Sequence, residues 1–132
     1  MIFIDTSAFF ALADRADLNH RRAVTLLRRL NKENRAVFTH NYIVVETMAL
    51  LQRRLGTESA VKFLNDMTNF PMIWTDEELH KRAAHAFING KSKAVSLVDY
   101  LSFAIMRERG VSQAFAFDDD FRQAGFTLYS SQ

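Results

Sequence analysis

Four carboxylates lie in surroundings that are unusual for solvated acids. Asp5 directly follows the apolar run at 2–4, and Glu46 lies in the helical stretch YIVVETMALL, with largely apolar residues three and four positions away. Asp99 and Asp118 lie in the stretches SLVDYL and FAFDDDF. A buried carboxylate is costly unless it is paired, hydrogen-bonded or bound to a metal ion. We therefore treat these four acids as the candidate functional residues.

Each acid also has a purely structural interpretation. Asp5 could cap a helix that starts one or two residues later, and Glu46 could form an internal ion pair with an arginine. The spacing Ser96-x-x-Asp99 resembles a capping box, which on its own favours a structural role for Asp99. Taken one at a time, the acids therefore leave both interpretations open.

Three adjacent acids, Asp118 to Asp120, follow the apolar run at 114–117. Like charges so close together repel one another unless a cation is near. We expect Asp118 to point into a crevice, Asp120 to be the second contributor and Asp119 to face solvent. One of the three could instead serve only to form a turn.

A cluster of carboxylates suits a hard cation with oxygen ligands, such as Mg²⁺ or Mn²⁺, and does not suit zinc. Such an ion can activate water and stabilise in-line displacement at phosphorus. The four acids together therefore predict metal-assisted hydrolysis at a phosphate ester more specifically than any one of them does.

The elements that would bring these acids together are short strands alternating with helices. Strands are predicted at 2–4, 36–39, 72–74, 114–117 and 126–129, and helices at about 18–34, 41–55 (capped by Asn41), 57–69, 76–87 (capped by Thr75 or Asp76) and 96–110. Because the strands are apolar with little alternation, they predict an α/β fold with a parallel sheet of about five strands sandwiched between helices. Ligands bind beyond the carboxyl ends of such strands, where Asp5 and Asp118 are expected.

The composition favours one globular domain over residues 1–132. Apolar residues make up 48% of the 132, and only one Pro and four Gly interrupt the chain. There is no Cys, which excludes disulfides, zinc–thiolate sites and cysteine nucleophiles. No apolar segment approaches the roughly 18 residues of a membrane span, so we expect a cytoplasmic protein without membrane contact. The net charge of +2 is compatible with an anionic partner but is weak support for one.

The stretches FIDTSA, YIVVETMALL, SLVDYLSFAIM and AFAFDDDF, in this order and spacing, resemble the PIN-domain ribonucleases, notably the VapC-type toxins. The stretch ADLNHRRAVTLL is also similar to the second-helix region of that family. The resemblance covers essentially the whole chain. It implies that the catalytic and metal-binding acids are Asp5, Glu46, Asp99 and Asp118, with possible support from Thr6, Ser7, Ser96 and Asp120.

The resemblance further implies an Mg²⁺- or Mn²⁺-dependent endoribonuclease that leaves 5′-phosphate and 3′-hydroxyl ends. It implies a toxin that forms a homodimer, is inhibited by a cognate antitoxin protein and cleaves tRNA or rRNA. Basic side chains should line the approach of the RNA backbone. Arg15, Arg53, Lys91 and Lys93 are the candidates, although a solvated surface charge is the favoured interpretation of each one alone.

Other functions fit the sequence less well. The main alternative is a non-catalytic PIN-like module that binds RNA or protein. A haloacid-dehalogenase-like phosphatase would need a second Asp where Ser7 stands, and a phosphoreceiver domain would need a Lys near the last strand, where none follows Asp120. A metal-free nuclease would rely on histidines, but His40 is expected in a loop, and none of the four is expected beside a carboxylate. The others are His20, His80 and His85.

Overall fold

The computed structural model describes residues 1–130, in which five strands alternate with seven helices. The strands are β1 (Ile2–Ile4), β2 (Val37–His40), β3 (Met72–Ile73), β4 (Gln113–Phe115) and β5 (Thr127–Leu128). The helices are α1 (Thr6–Ala13), α2 (His20–Lys32), α3 (Asn41–Leu55), α4 (Thr57–Asp66), α5 (Glu77–Asn89), α6 (Leu97–Glu108) and α7 (Asp120–Gln123). The last two positions of the predicted domain, 131 and 132, lie outside the described residues.

All five strands run parallel, in the order β3-β2-β1-β4-β5, and helices flank the sheet. The predicted α/β class and five-stranded parallel sheet are therefore confirmed. The chain builds the sheet outward from β1 on one side through β2 and β3, then crosses to the other side for β4 and β5. The strand order thus reverses between β1 and β4, and such reversal points are where parallel sheets form ligand crevices.

The core explains why the first strand is uniformly apolar. Ile2 and Phe3 have no exposed surface and Ile4 is only 4% exposed, because the sheet is covered on both faces. The Phe3 ring packs against the rings of Phe38 and Phe121, with centroids 5.5 and 5.9 Å apart. This packing fixes the position of the residue that follows the strand, which is Asp5.

Two local predictions need correction, and one short helix has no counterpart among the predicted elements. The N-cap of α3 is His40, whose side chain accepts a hydrogen bond from the Ile43 N–H, whereas Asn41 is the first helical residue and accepts from the Thr75 N–H. Strand β4 ends at Phe115, so Asp118 follows three residues later and not directly. The sequence also gave no signal for α7, a single turn of four residues.

In the described part of the chain, no helix is both long and apolar enough to cross a membrane.

Candidate active site

The first acid, Asp5, is both a helix cap and a cleft residue. Its backbone is extended, its side chain is 3% exposed, and its Oδ2 accepts hydrogen bonds from the N–H and the hydroxyl of Ser7 at 3.1 and 2.7 Å. The predicted capping role of Asp5 is therefore confirmed, and the same carboxylate lines the cleft, whereas its role in metal binding stays a prediction.

Ser7 also joins the ends of two neighbouring strands. While its hydroxyl donates to Asp5, its Oγ accepts from the Phe117 N–H at 3.0 Å. The Asp5 N–H in turn donates to the Phe115 carbonyl at 3.1 Å. The segment that leads from β4 to Asp118 is thus tied to the first acid by backbone and hydroxyl contacts.

The second acid, Glu46, is held by a residue from another helix. The Thr6 hydroxyl donates a hydrogen bond of 2.5 Å to Glu46 Oε1, which links α1 to α3. The predicted alternative for Glu46, an ion pair with an arginine, does not occur among residues 1–130. Thr6 is therefore a direct anchor of this carboxylate.

The third acid, Asp99, forms the predicted capping box at the start of α6. The Ser96 N–H donates to Asp99 Oδ2 at 3.2 Å, and the Asp99 N–H donates to Ser96 Oγ at 3.1 Å. One oxygen of Asp99 caps the helix, and the residue also lines the same cleft as Asp5. The structural role thus places the carboxylate beside the other acids.

The acidic triplet divides as predicted for its solvent exposure. Asp118 lines the cleft, and its Oδ1 accepts from the Asp120 N–H at 3.2 Å. Asp119 is exposed and forms an ion pair with Arg122 at 3.5 Å. Asp120 is partly buried and begins α7 without lining the cleft, so its supporting role stays a prediction.

The raised pKa values of these acids reflect first their burial and then the charges of neighbouring carboxylates. Burial, and after it the charge of Asp118, raises the pKa of Asp5 to about 7, although hydrogen bonds from Ser7 oppose the shift. Burial likewise raises the pKa of Asp99 to about 6, against a hydrogen bond from Ser96. The pKa of Asp118 is raised by burial and by the charge of Asp120. Each shift means that the charged carboxylate is short of a counter-charge.

None of the six ion pairs among residues 1–130 involves one of the four acids. The donor chemistry, four carboxylates without a cationic partner, fits a hard divalent cation. In the same part of the chain, no three His, Cys, Asp or Glu side chains already converge closely enough to hold one ion. Ligation of a single ion by three of the acids would therefore need side-chain movement.

The acids open onto a cleft of about 380 Å³. Its lining consists of Asp5, Thr6, Ser7, Phe10, Asp17, Asn19, Glu46, Leu50, Arg54, Ser96, Asp99, Phe117 and Asp118. A larger depression of about 730 Å³ lies along α5 and is lined by Glu77, Glu78, Lys81, Arg82 and His85. Three of those five side chains are already in ion pairs, Lys81 with Glu77 and Arg82 with Glu108, so we place the candidate site in the smaller cleft.

The predicted basic residues lie elsewhere on the surface. Arg15, Arg53, Lys91 and Lys93 are exposed, and none of them lines the cleft. Their contact with RNA stays a prediction. The cleft is instead lined by Arg54, which the sequence reasoning missed. The spacing of eight residues from Glu46 could have revealed it, because positions four apart share a helix face.

The histidines do not form a catalytic pair with the acids. The prediction that His40 lies in a loop is wrong, because His40 is the completely buried last residue of β2. His20 Nδ1 lies 2.7 Å from the Ala11 carbonyl, and His80 Nδ1 lies 2.7 Å from the Tyr42 hydroxyl. No histidine of the described residues lines the acidic cleft. The geometry therefore gives no support to the histidine-based nuclease.

Comparisons with known proteins agree with the parallel α/β fold. The family model described as PIN domain matches residues 2–127. The chain is 35% identical over 130 residues to the 23S rRNA-specific endonuclease VapC20 of Mycobacterium tuberculosis, in strains CDC 1551 and H37Rv, covering 96% of this chain and 95% of that protein. The crystal structure of M. tuberculosis VapC20, described as a sarcin–ricin loop cleaving toxin, superposes with a TM-score of 0.85 at 33% identity, covering 96% and 97% of the two chains. The chain therefore belongs to the PIN-domain family and is similar to the VapC-type toxins.

Proposed function

We propose that this protein is an endoribonuclease that hydrolyses RNA phosphodiester bonds with the help of Mg²⁺ or Mn²⁺. The observation that carries the proposal is the meeting of Asp5, Glu46, Asp99 and Asp118 in one cleft without a basic partner among residues 1–130. These acids come from four distant parts of the sequence. A shared role in cation binding explains why all four line one cleft. The similarity to VapC20, an rRNA-specific endonuclease, supports the same reaction class.

The four acids are the groups that would hold the divalent cation. When bound, such an ion activates water and stabilises the charge that develops on the phosphate oxygens. The protein's own residues fix the carboxylates in advance: Ser7 orients Asp5 and Thr6 orients Glu46. The raised pKa values of Asp5 and Asp99 favour cation binding. A bound cation would relieve the repulsion between these buried charges.

The substrate we propose is a ribosomal RNA. VapC20 is described as specific for 23S rRNA and as cleaving the sarcin–ricin loop, and this chain covers nearly its whole length. Hydrolysis that breaks the bond from phosphorus to the 3′-oxygen would leave 5′-phosphate and 3′-hydroxyl ends. As a toxin, the protein would act in the cytoplasm, form a homodimer and be restrained by a cognate antitoxin.

A non-catalytic binding module is the second candidate. It is favoured by one observation, namely that no three acidic or histidine side chains of residues 1–130 converge on one point as they stand. The two candidates differ in a measurable way, since only an enzyme produces new RNA ends.

Mapping of new RNA ends separates these functions. Wild-type protein and the variant Asp5→Ala are incubated with total cellular RNA, with Mg²⁺ or Mn²⁺ and then with excess EDTA. We expect cleavage at a defined rRNA site by the wild type with metal, and none by the variant or in EDTA. Cleavage that persists in EDTA would contradict the metal requirement, and binding without any new ends would support the non-catalytic module.

A further inference from the structure

Arg54 is the only Lys or Arg among the described residues that line the acidic cleft. It shares this lining with Glu46 and Leu50, at intervals of four residues along α3. These three side chains therefore form one stripe on the helix. At a rise of about 1.5 Å per residue, Arg54 lies about 12 Å along the helix from Glu46.

The Arg54 guanidinium is held over an aromatic ring. Its carbon lies 5.6 Å from the centroid of Phe10, whose side chain is 7% exposed and belongs to the core. A cation above a buried ring face is attracted by the ring quadrupole. Because the core fixes Phe10, the position of the guanidinium at the cleft wall is also restricted.

Two other arginines that lie over aromatic rings are already engaged elsewhere. Arg35 donates to the Gln113 side chain at 2.8 Å, and Arg107 donates to the Ala124 carbonyl at 2.9 Å. Arg54, in contrast, makes no side-chain hydrogen bond or ion pair with residues 1–130. Its N–H donors are therefore available to a ligand in the cleft.

The remaining charges of the cleft are all negative. Five carboxylates line it: Asp5, Asp17, Glu46, Asp99 and Asp118. A polyanion such as RNA is repelled by these groups, so a cation at the wall is needed to hold the backbone beside them. A guanidinium suits this task because its planar fork can donate two parallel hydrogen bonds to one phosphate.

We propose that Arg54 binds a phosphate of the RNA backbone that flanks the scissile phosphodiester. This inference rests on the proposed ribonuclease function and adds a binding residue to it. The distance along α3 separates the guanidinium from the acids, so the contact is with a neighbouring phosphate. Arg54 thereby positions the strand across the cleft, and Phe10 positions Arg54.

The test compares Arg54→Gln with Arg28→Gln. The two variants lose the same charge from an exposed helical arginine, but Arg28 lies on α2 and does not line the cleft. Glutamine keeps the first part of the arginine side chain without its charge, and unchanged thermal unfolding controls for folding. The probe is a labelled RNA segment that spans the cleavage site mapped with the wild-type protein, titrated in EDTA over a range of salt concentrations.

We expect Arg54→Gln to weaken RNA binding roughly tenfold, as for loss of a hydrogen-bonded charge, while Arg28→Gln changes it less than about twofold. The slope of log affinity against log salt should fall by about one for Arg54→Gln alone. Arg54→Lys should keep that slope. Equal effects of Arg28→Gln and Arg54→Gln, or no effect of Arg54→Gln, overturn this inference and leave the proposed function standing. If the wild type cleaves no RNA, both fail.

Discussion

His40 Nε2 lies 2.8 Å from Ser102 Oγ, and this contact joins the two helices that carry Glu46 and Asp99. The Ser102 hydroxyl donates to the Val98 carbonyl at 3.0 Å, so it accepts from His40. On its other nitrogen, His40 accepts from the Ile43 N–H and so caps α3. The buried ring, stacked on Phe3, thus connects two acid-bearing helices.

These contacts predict the protonation state of His40. Burial lowers its pKa to about 3, and both partners require the neutral ring with the proton on Nε2. We expect its ¹⁵N NMR shifts to show this tautomer and no titration between pH 5 and 8. A titration midpoint near 6.5, the ordinary value for histidine, would contradict this placement.

The raised pKa of Asp5 predicts that the stability of the metal-free protein depends on pH. Its pKa is raised to about 7 in the fold, so between about pH 4 and 7 the folded state binds more protons than the unfolded state. The free energy of unfolding should therefore fall as the pH rises through this window. The loss is at most roughly 4 kcal/mol.

Urea unfolding of wild type and Asp5→Asn at a series of pH values checks this prediction. The lowered pKa of His40 has the opposite effect, because it makes stability rise with pH up to about the pKa of histidine in the unfolded chain. Both proteins contain His40, so the difference between them reports on Asp5. We expect Asp5→Asn to gain stability relative to the wild type from pH 5 to 8. A difference that does not change with pH would show that Asp5 is ordinarily solvated.

The two hydrogen bonds of the Ser7 hydroxyl predict that its removal lowers both stability and activity. Ser7→Ala removes a donor to Asp5 and leaves the Phe117 N–H without its acceptor, which costs about 1–3 kcal/mol. RNA cleavage should fall in the same variant even at temperatures where it is fully folded, because Asp5 loses its orientation. Chemical denaturation and cleavage rates measure the two effects, with the exposed Ser112→Ala as control. Wild-type cleavage by folded Ser7→Ala would refute this role.

The adjacent acids Asp118 and Asp119 offer a matched pair. Both are preceded by the same strand, but Asp118 lines the cleft and Asp119 is exposed and paired with Arg122. Asp118→Asn should reduce the cleavage rate by roughly a hundredfold or more, as for loss of a group that stabilises transition-state charge. Asp119→Asn should stay within about threefold of wild type, since surface ion pairs contribute little. Similar losses in both variants would count against the assignment.

The fold and the caps at Asp5 and Ser96 could be predicted because they depend on neighbouring residues. The apolar run at 2–4 gives a buried strand, and the spacing of Ser96 and Asp99 gives a capping box. The position of Asp5 and Asp118 in one cleft also followed from the rule that parallel strands end at one edge of a sheet. Each of these inferences uses either a short segment or the general topology.

The contacts between distant segments could not be predicted in the same way. The bond from Thr6 to Glu46 spans forty positions, and it depends on how α1 packs on α3. The burial of His40 depends on β2 extending one residue further and stacking that ring on Phe3. The choice of Arg54 over Arg53 depends on the rotation of α3 about its axis. Side-chain partners are thus set by packing, to which a single sequence gives little access.

The most direct test of the account is calorimetric titration of Mn²⁺ into metal-free wild type and Asp99→Asn, without RNA. We predict saturable binding to the wild type and at least about tenfold weaker binding to the variant. Loss of a group that only orients a metal ligand already weakens metal binding about tenfold or more, and loss of a ligand should weaken it at least as much. Because Asp99 also caps α6, its substitution could disturb the fold. The control is that thermal unfolding of the variant is unchanged. Equal binding by the two folded proteins, or no binding by the wild type, would contradict the claim that these carboxylates form a metal site.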